Sequence, residues 1–389
     1  MRIIPHLSYG LTGNDDLPGM STNSYLSGVS LFSNATGLRL GSLANEELKW
    51  ETTRKLNAGL SLHLLNDRLT VAFDYFLHNT SDLITLQNAP VESGQQYILK
   101  NGGKLQNQGF ETAVGVKAVN LKDFSWQTDL GISHYVNKVK ELPAGSIITD
   151  VLGGQVITQE GSPAGLFYGY KSKGVFATTA EAQAANLKVQ NSDASYSTFA
   201  AGDIWFDDLN GDGIIDTQDR QVIGDPNPDL TGSWSNRFTY KRLTLGVQFT
   251  FSLGGDVYNY QRQQLESMSG VWNQTNAARN RWKSEGQQTS VPRATYGDPM
   301  GNSRFSDRWI EDGSYLKLAN VSLSYDVPYS NQYIQGITVW AAATNLYTWT
   351  RYLGVDPEVS YQSGTLYQGI DNGLLARGRS FYMGVKINL

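Results

Sequence analysis

Leu56, Ala58, Leu60, Leu62 and Leu64 alternate along the chain with Lys55, Asn57, Gly59, Ser61 and His63. After four intervening residues, Leu69, Val71, Phe73, Tyr75 and Leu77 alternate with Thr70, Ala72, Asp74 and His78. Successive strand side chains point to opposite faces, so each stretch has one apolar face and one mostly polar face. The pattern predicts a hairpin turning at Asn66-Asp67. Soluble strands usually run about five or six residues. A tilted strand of about ten residues crosses a hydrocarbon layer, and alternation of that length points to an outer-membrane β-barrel.

Eight further strands follow the same rule. The first is expected over about Ile3 to Leu11, and the fourth over about Gly109 to Val119. Asn120 to Asp123 turns the chain into the fifth, which sends Phe124, Trp126, Thr128, Leu130 and Ile132 outward. The sixth carries Trp234, Phe238 and Tyr240, with Asn236 interrupting its apolar face. Lys241-Arg242 leads into the seventh, where Leu243, Leu245, Val247, Phe249 and Phe251 alternate cleanly. The eighth holds Val321 to Val327, the ninth about Ile337 to Trp349, and the tenth Phe381 to Leu389. Connections after the even strands are short. Those after the odd strands are long, at about 12–47, 80–106, 140–229, 254–312 and 350–375. Bacterial barrels have short periplasmic turns and long extracellular loops, so the long excursions are expected outside the cell. Leu166 to Phe176 also alternates, but as a span it would break this rhythm, so it belongs to an excursion. A soluble β-sandwich is the competing fold; its strands are shorter and its connections less lopsided.

Composition narrows the classes. The 389 residues include no cysteine, which removes thiolate metal sites, cysteine nucleophiles and disulfides. The formal net charge of −5 gives no support to a nucleic-acid partner. Abundant tyrosine and tryptophan (21 and 9) with 40 glycines suit aromatic interface belts and tight turns. No run approaches the roughly 18 apolar residues of a transmembrane helix. Pro5 and His6 interrupt the N-terminus before an apolar signal core builds up. The chain is therefore expected to be the tail of a longer one.

Several segments resemble the SusC/RagA-like family of TonB-linked outer-membrane transporters. They are Ser8-Tyr9-Gly10-Leu11-Thr12-Gly13-Asn14, Leu48-Lys49-Trp50-Glu51-Thr52-Thr53, Arg68 to Leu83, and Asn107-Gln108-Gly109-Phe110-Glu111. Gly161-Ser162-Pro163 with Tyr168-Gly169-Tyr170, Phe206 to Asp219, Asp225-Pro226-Asn227-Pro228, Asn345-Leu346-Tyr347-Thr348 and Gly354 to Glu358 follow in family order. Each piece alone is weak; their ordered succession over almost the whole chain is specific. The resemblance implies the last ten strands of a 22-stranded barrel, without the plug domain. It also implies a Gram-negative, Bacteroidetes-like outer membrane and import of a glycan or peptide with a SusD-like lipoprotein. TonB would act only through N-terminal apparatus that this chain does not show, so transport by this chain alone is not expected. Leu389 stands last, where many outer-membrane proteins end in an aromatic residue.

The sharpest chemical motif is Asp208, Asn210, Asp212, Gly213, Ile214, Asp216 and Asp219, which fits a twelve-residue calcium loop. Side chains of Asp208, Asn210, Asp212 and Asp219 supply oxygens, the Ile214 carbonyl adds one, and Asp216 acts directly or through water. Aspartate at position twelve implies modest affinity. The same residues also describe a polar turn punctuated by Asn-Gly and Asp-Gly. No helix pair is expected around the loop, so the ion would stiffen an excursion rather than act as a sensor.

The excursions carry aromatics, among them Tyr168, Tyr170, Trp205, Tyr258, Trp272 and Trp309, that either stack on a ligand, seat a partner or pack loops together. Tyr258 to Met268 and Ala277 to Lys283 are read as short helices, either a lipoprotein contact or a self-packed surface. Asn57, His63, Asp74, His78, Gln127, Asp129, Gln248, Ser322, Asp326 and Lys386 form a polar inner wall. No catalytic constellation stands out, so an enzyme is not expected. The alternatives to the importer are a self-closed ten-stranded porin-like channel and a surface binding protein with calcium-stiffened loops.

Overall fold

The computed structural model describes residues 1–15, 26–31, 35–40, 45–89, 91–93, 97–143, 145–329 and 331–389. Parts of the first excursion, 16–25, 32–34 and 41–44, lie outside the described residues. Ten long strands follow in sheet order as they do in the chain. They are β1 (Arg2–Asn14), β2 (Glu51–Leu64), β3 (Leu69–Ser81), β4 (Lys104–Asn120), β5 (Phe124–Glu141), β6 (Leu230–Tyr240), β7 (Leu243–Leu253), β8 (Tyr315–Val327), β9 (Gly336–Thr350) and β10 (Ser380–Asn388). Two compact units divide the chain: Met1–Ile147 with Thr158–Ala164, and Ile148–Ile157 with Gly165–Leu389.

In the first unit β1 to β5 form an antiparallel meander. Its register matches apolar to apolar: Leu7 faces Ala58, Leu60 faces Phe73, Val71 faces Val114, and Val114 faces Leu130. A slip of one residue would turn every one of these to the polar side, so the pattern fixes the register. The hairpin turn takes Leu65, Asn66 and Asp67 through positive φ. Among the described residues no protein layer covers the apolar flank: Leu7 is 74 % exposed and Tyr9 68 %, and Leu60, Phe73 and Tyr75 are exposed as well.

β4 and β5 reach 17 and 18 residues, longer than their apolar alternation. Lys104 to Gln108 and Asn137 to Glu141 are polar or charged at most positions, which hides them from a periodicity reading. Backbone pairing nevertheless continues, from Lys104 opposite Glu141 downward. The second excursion consequently ends at 103 and the third begins at 142.

In the second unit β6 to β10 repeat the scheme. Leu245 faces Leu323, Leu323 faces Ala341, and Ala341 faces Met383. Aromatic rings gather on this flank toward the long-loop ends. Trp234 stacks on Phe249 at 5.6 Å, and Tyr347 meets Trp349 edge-on at 4.8 Å. Tyr240 and Tyr325 stand at the short-turn ends. Leu316, opposite Trp349, and Tyr325 lie nine positions apart on β8. At about 3.3 Å per residue and a tilt near 40°, the two levels are roughly 23 Å apart, close to the apolar band between aromatic girdles. Asn236 is buried on this flank beside Val247.

The deep core lies in the excursions of this unit, not in its strands. Tyr170, Phe176, Leu187, Phe199, Ile204, Phe206, Ile215 and Met300 form one cluster. Val151, Val156, Phe167, Tyr258, Phe305, Trp309 and Ile370 form another. Three excursions therefore share cores, whereas a strand wall with one flank bare and the other polar buries little. Leu166–Gly169 pairs with Gln221–Gly224, and Ser172–Val175 with Ile204–Phe206, so this segment belongs to the excursion. Two short helices, α1 (Thr179–Ala185) and α2 (Tyr260–Glu266), are capped by Thr178 and Asn259. The second expected helix is a 3-10 turn, Asn276–Asn280.

Candidate functional site

Polar side chains of β1 to β5 meet on the inner wall of the first unit. His6, Gly59, Asp74, Glu111 and Ser133 occupy one cross-strand row. His6 Nε2 reaches across Gly59 to Asp74 Oδ1. A Cβ at Gly59 would sit 2.2 Å from both atoms, so the contact requires glycine. A cavity of about 710 Å³ is lined here by Asn57, Asp74, Phe76, His78, Asn107 and Glu111, among others. His78 Nε2 and Asn57 Oδ1 lie 3.2 Å apart, and Asn57 Nδ2 donates to Ser8 Oγ at 3.2 Å. A second cavity, about 310 Å³, gathers Arg2, His63, Lys117, Gln127 and Asp129.

In the second unit Thr338 Oγ1 donates to Asp326 Oδ1 at 2.7 Å, and Lys386 pairs opposite Thr338. Asn57, Asp74 and His78, His63 with Gln127 and Asp129, and Asp326 near Lys386 are thus brought together as alternation predicts, whereas Ser322 faces Gly246 and Gln248 faces Asn320 beside a register shift. Glu111, directly opposite Asp74, escaped notice because one strand's pattern does not show what faces it.

The loop 208–219 closes on itself. Asp208 accepts from the backbone N–H of Gly211 and Gly213, both at 2.8 Å. Asn210 Oδ1 accepts from Asp212 N at 3.1 Å, Asp212 Oδ1 from Ile214 N at 2.7 Å, and Asp216 Oδ1 from Gln218 N at 2.7 Å. Asp219 is buried and accepts from Leu209 N and Asp216 N, both at 2.8 Å. Gly213 adopts φ +78°, the left-handed region the sharp turn needs. Carboxylate oxygens carry further lone pairs. Among the described residues, however, no three His, Cys, Asp or Glu side chains are gathered to hold an ion.

The expected aromatic contacts separate by position. Tyr258 and Trp309 are wholly buried and offer no ring face to a ligand. The Tyr258 hydroxyl shares its one proton between Gln263 Oε1 and Leu152 O, the latter at 3.1 Å, and burial pushes that hydroxyl well above the ordinary tyrosine range. Trp309 Nε1 donates to Arg304 O at 3.0 Å. Trp205 is half-buried and stacks on Phe176 at 5.0 Å. Trp272 is 80 % exposed, with Val271 and Tyr296 exposed in the same excursion. Tyr168 and Tyr170 line a cavity with Arg220 and Arg304.

Long-range polar anchors also escaped the sequence. Asp203, fully buried, holds Arg293 through two bonds of 2.8 Å across 90 residues. Asn302 Nδ2 and Ala200 N also donate to Asp203, each at 2.9 Å. Arg262 bridges Glu266 and Glu311. Lys317 Nζ meets Glu358, whose Oε1 accepts from the Tyr315 hydroxyl at 2.7 Å. Apart from Arg262 and Glu266, four residues apart on α2, no local spacing marks such partners.

Comparison with known proteins agrees with this architecture. The family described as TonB dependent receptor-like, beta-barrel matches residues 8–346. TonB-dependent receptor P3 of Formosa agariphila is 33 % identical over 98 % of this chain and 38 % of its own length. TonB-dependent receptor SusC of Bacteroides thetaiotaomicron is 26 % identical over 88 % of this chain and 32 % of its own. The solved RagAB peptide transporter superposes with a TM-score of 0.78 at 21 % identity, covering 99 % of this chain and 40 % of that one. The chain thus spans about a third to two fifths of these relatives.

Proposed function

Because the chain belongs to the TonB-dependent receptor-like β-barrel family and is of the SusC/RagA kind, we propose that it supplies barrel wall and outer loops to an outer-membrane importer of oligosaccharides or peptides. The observation that carries this reading is the bare apolar flank of both meanders, opposite a polar wall. In water that flank would be costly; against lipid it is satisfied.

β1 pairs only with β2 and β10 only with β9 among the described residues. Unpaired strand edges in hydrocarbon cost several kcal/mol per polar group, as an order of magnitude. Further strands of a larger barrel would cover them, which favours the importer over a self-closed ten-stranded channel.

In the proposed mechanism the long excursions face the cell exterior. Their shared cores hold the capture surface in shape, and ligand binding there is followed by closure of a SusD-like lipoprotein over the loops. Energy from TonB enters through the part of the relatives that this chain does not span. Polar rows such as His6–Asp74–Glu111 face the passage. No catalytic step belongs to this mechanism. Calcium in the loop 208–219 remains part of the proposal: binding would re-aim Asp208, Asn210, Asp212, Asp216 and Asp219 from their backbone caps, together with the Ile214 carbonyl.

Deletion of the gene, with uptake of labelled oligosaccharides and peptides measured beside membrane fractionation, tests the reading. The protein is expected in the outer membrane, and uptake of one ligand class is expected to fall. A protein found free of membranes, or unchanged uptake of both classes, contradicts it.

A further inference from the structure

The cavity beside Tyr170, about 410 Å³, is lined by Gln155, Tyr168, Tyr170, Arg220, Arg304 and Phe305, among others. Two guanidinium groups flank one ring. Arg220 lies 5.5 Å and Arg304 4.8 Å from the Tyr170 centroid. Neither has a carboxylate within ion-pair distance among the described residues. Arg262 and Arg293 of the same unit are both paired with carboxylates. Other arginines of the unit, such as Arg279 and Arg308, are also without one, but Arg220 and Arg304 are the two that line this cavity.

Burial pulls the Arg304 guanidinium below its ordinary range and the charge of Arg220 adds to that, against the opposing influence of the Tyr170 hydroxyl, to which Arg304 is also hydrogen-bonded, and of the Asp298 carboxylate. Like charges brought together around a half-enclosed space leave a field that favours an anion.

The donors are oriented. Arg304 is fixed by Nε to Gly301 O at 2.9 Å and Nη2 to Met300 O at 2.8 Å. Asp150, at the rim, accepts from Gln155 Nε2 at 2.7 Å, and Gln155 Oε1 accepts from Arg220 Nη1 at 2.7 Å. A guanidinium has five N–H donors, so both keep donors for a guest. Their planar forks match a carboxylate. The volume lies within the usual range for a small-molecule site, about 300 to 1,000 Å³.

We propose that this cavity binds a carboxylate carried by one unit of the imported ligand, with Arg220 and Arg304 as the donors and Tyr168 as the adjoining ring face. This rests on the importer reading and names the chemistry of its cargo. The carboxylate has two sources, an acidic sugar or an acidic peptide, and both offer the same group to the arginines. Among the lining residues, Arg220 and Arg304 against Asp150 leave one net positive charge, with Asp298 acting on Arg304 from outside the lining, which suits a singly charged acid.

Calorimetric titration of the full chain in detergent micelles with glucuronate and glucose, and with N-acetylated alanyl-glutamate α-amide and its uncharged glutamine counterpart, tests the proposal. At least one acid is expected to bind tenfold or more tightly than its neutral counterpart. A preference for glucuronate assigns the sugar source, and one for alanyl-glutamate the peptide source. Arg220→Gln, which spares the carbonyl bonds of Arg304, is expected to abolish the preference, and Arg220→Lys to keep part of it. Equal binding of acids and neutral counterparts by the wild type overturns the proposal, whatever the variants do. So does an undiminished preference in Arg220→Gln. Uptake lost on gene deletion but no acid preference overturns this inference alone. An acid preference with unchanged uptake of every ligand overturns the importer reading alone.

Discussion

Asp203→Ala removes the acceptor that ties residues 200–204 to Arg293 and Asn302. The carboxylate accepts two bonds from Arg293, one from Asn302 and one from Ala200. Breaking a buried pair by deleting one partner costs about 3–5 kcal/mol, because the remaining groups lose their acceptor. The Arg293 side chain is 35 % exposed and regains water, which places the cost near the lower end, about 3 kcal/mol. At about 1.4 kcal/mol per tenfold, local opening should become roughly 150-fold more frequent. Amide hydrogen exchange of 199–206 and 292–303, in protein held in micelles, reads this directly. The hairpin Glu51–Ser81 serves as the internal reference and should not change. Arg293→Lys keeps the charge but loses the two-pronged fork, and should accelerate exchange about tenfold. Acceleration below threefold in Asp203→Ala would refute the view that this anchor holds the excursions together.

Gly59→Val should break the His6–Asp74 contact, since a Cβ there lies 2.2 Å from both partners. The overpacking cost is about 1–3 kcal/mol, and a smaller heat-resistant folded fraction on gel electrophoresis would show it. Around Glu358, burial opposes the charged form, but hydrogen bonds from Lys317 and Tyr315 outweigh it and hold the carboxyl below its ordinary range. Its contribution is therefore complete above the unfolded value near 4.5 and lost as pH falls through the lower folded value. Proteolysis of 352–371 should accelerate below about pH 4.5 in the wild type, with Glu358→Gln already fast at neutral pH; identical pH profiles would contradict the sign. Calcium should slow exchange of 203–229 in the wild type and not in Asp212→Ala, and equal protection in both rules out the ion at this loop.

The membrane wall was legible because two independent regularities coincide in it. Period-two alternation selects one face at Leu56 to Leu64, and short connections such as Lys241-Arg242 force neighbours antiparallel. The polar strand ends at Lys104 to Gln108 were illegible for the converse reason: no apolar face marks them, and only backbone pairing with Leu77 to Ser81 on one side and Asn137 to Glu141 on the other makes them strand. The excursion cores were illegible because they join distant residues. Phe167 meets Phe305 at 6.4 Å, and nothing in either neighbourhood names the other. The aromatic residues singled out for ligand contact divide on the same ground, with Trp309 in a core and Tyr168 at a cavity, although both sit in glycine-rich polar sequence.

The central claim is that one side of each strand meets lipid and the other an aqueous interior. The chain contains no cysteine, so single cysteines are unambiguous reporters. Substituting positions 56 to 62, Gly59 excepted, and 70 to 76 one at a time, attaching a nitroxide, and measuring collisional broadening by oxygen and by a water-soluble relaxant in bilayers gives the orientation directly. A period of two is predicted: oxygen-accessible at Leu56, Ala58, Leu60, Leu62, Val71, Phe73 and Tyr75, and relaxant-accessible at Asn57, Ser61, Thr70, Ala72, Asp74 and Phe76. Uniform access to the water-soluble relaxant along both strands, or a period of two with the faces exchanged, would contradict it.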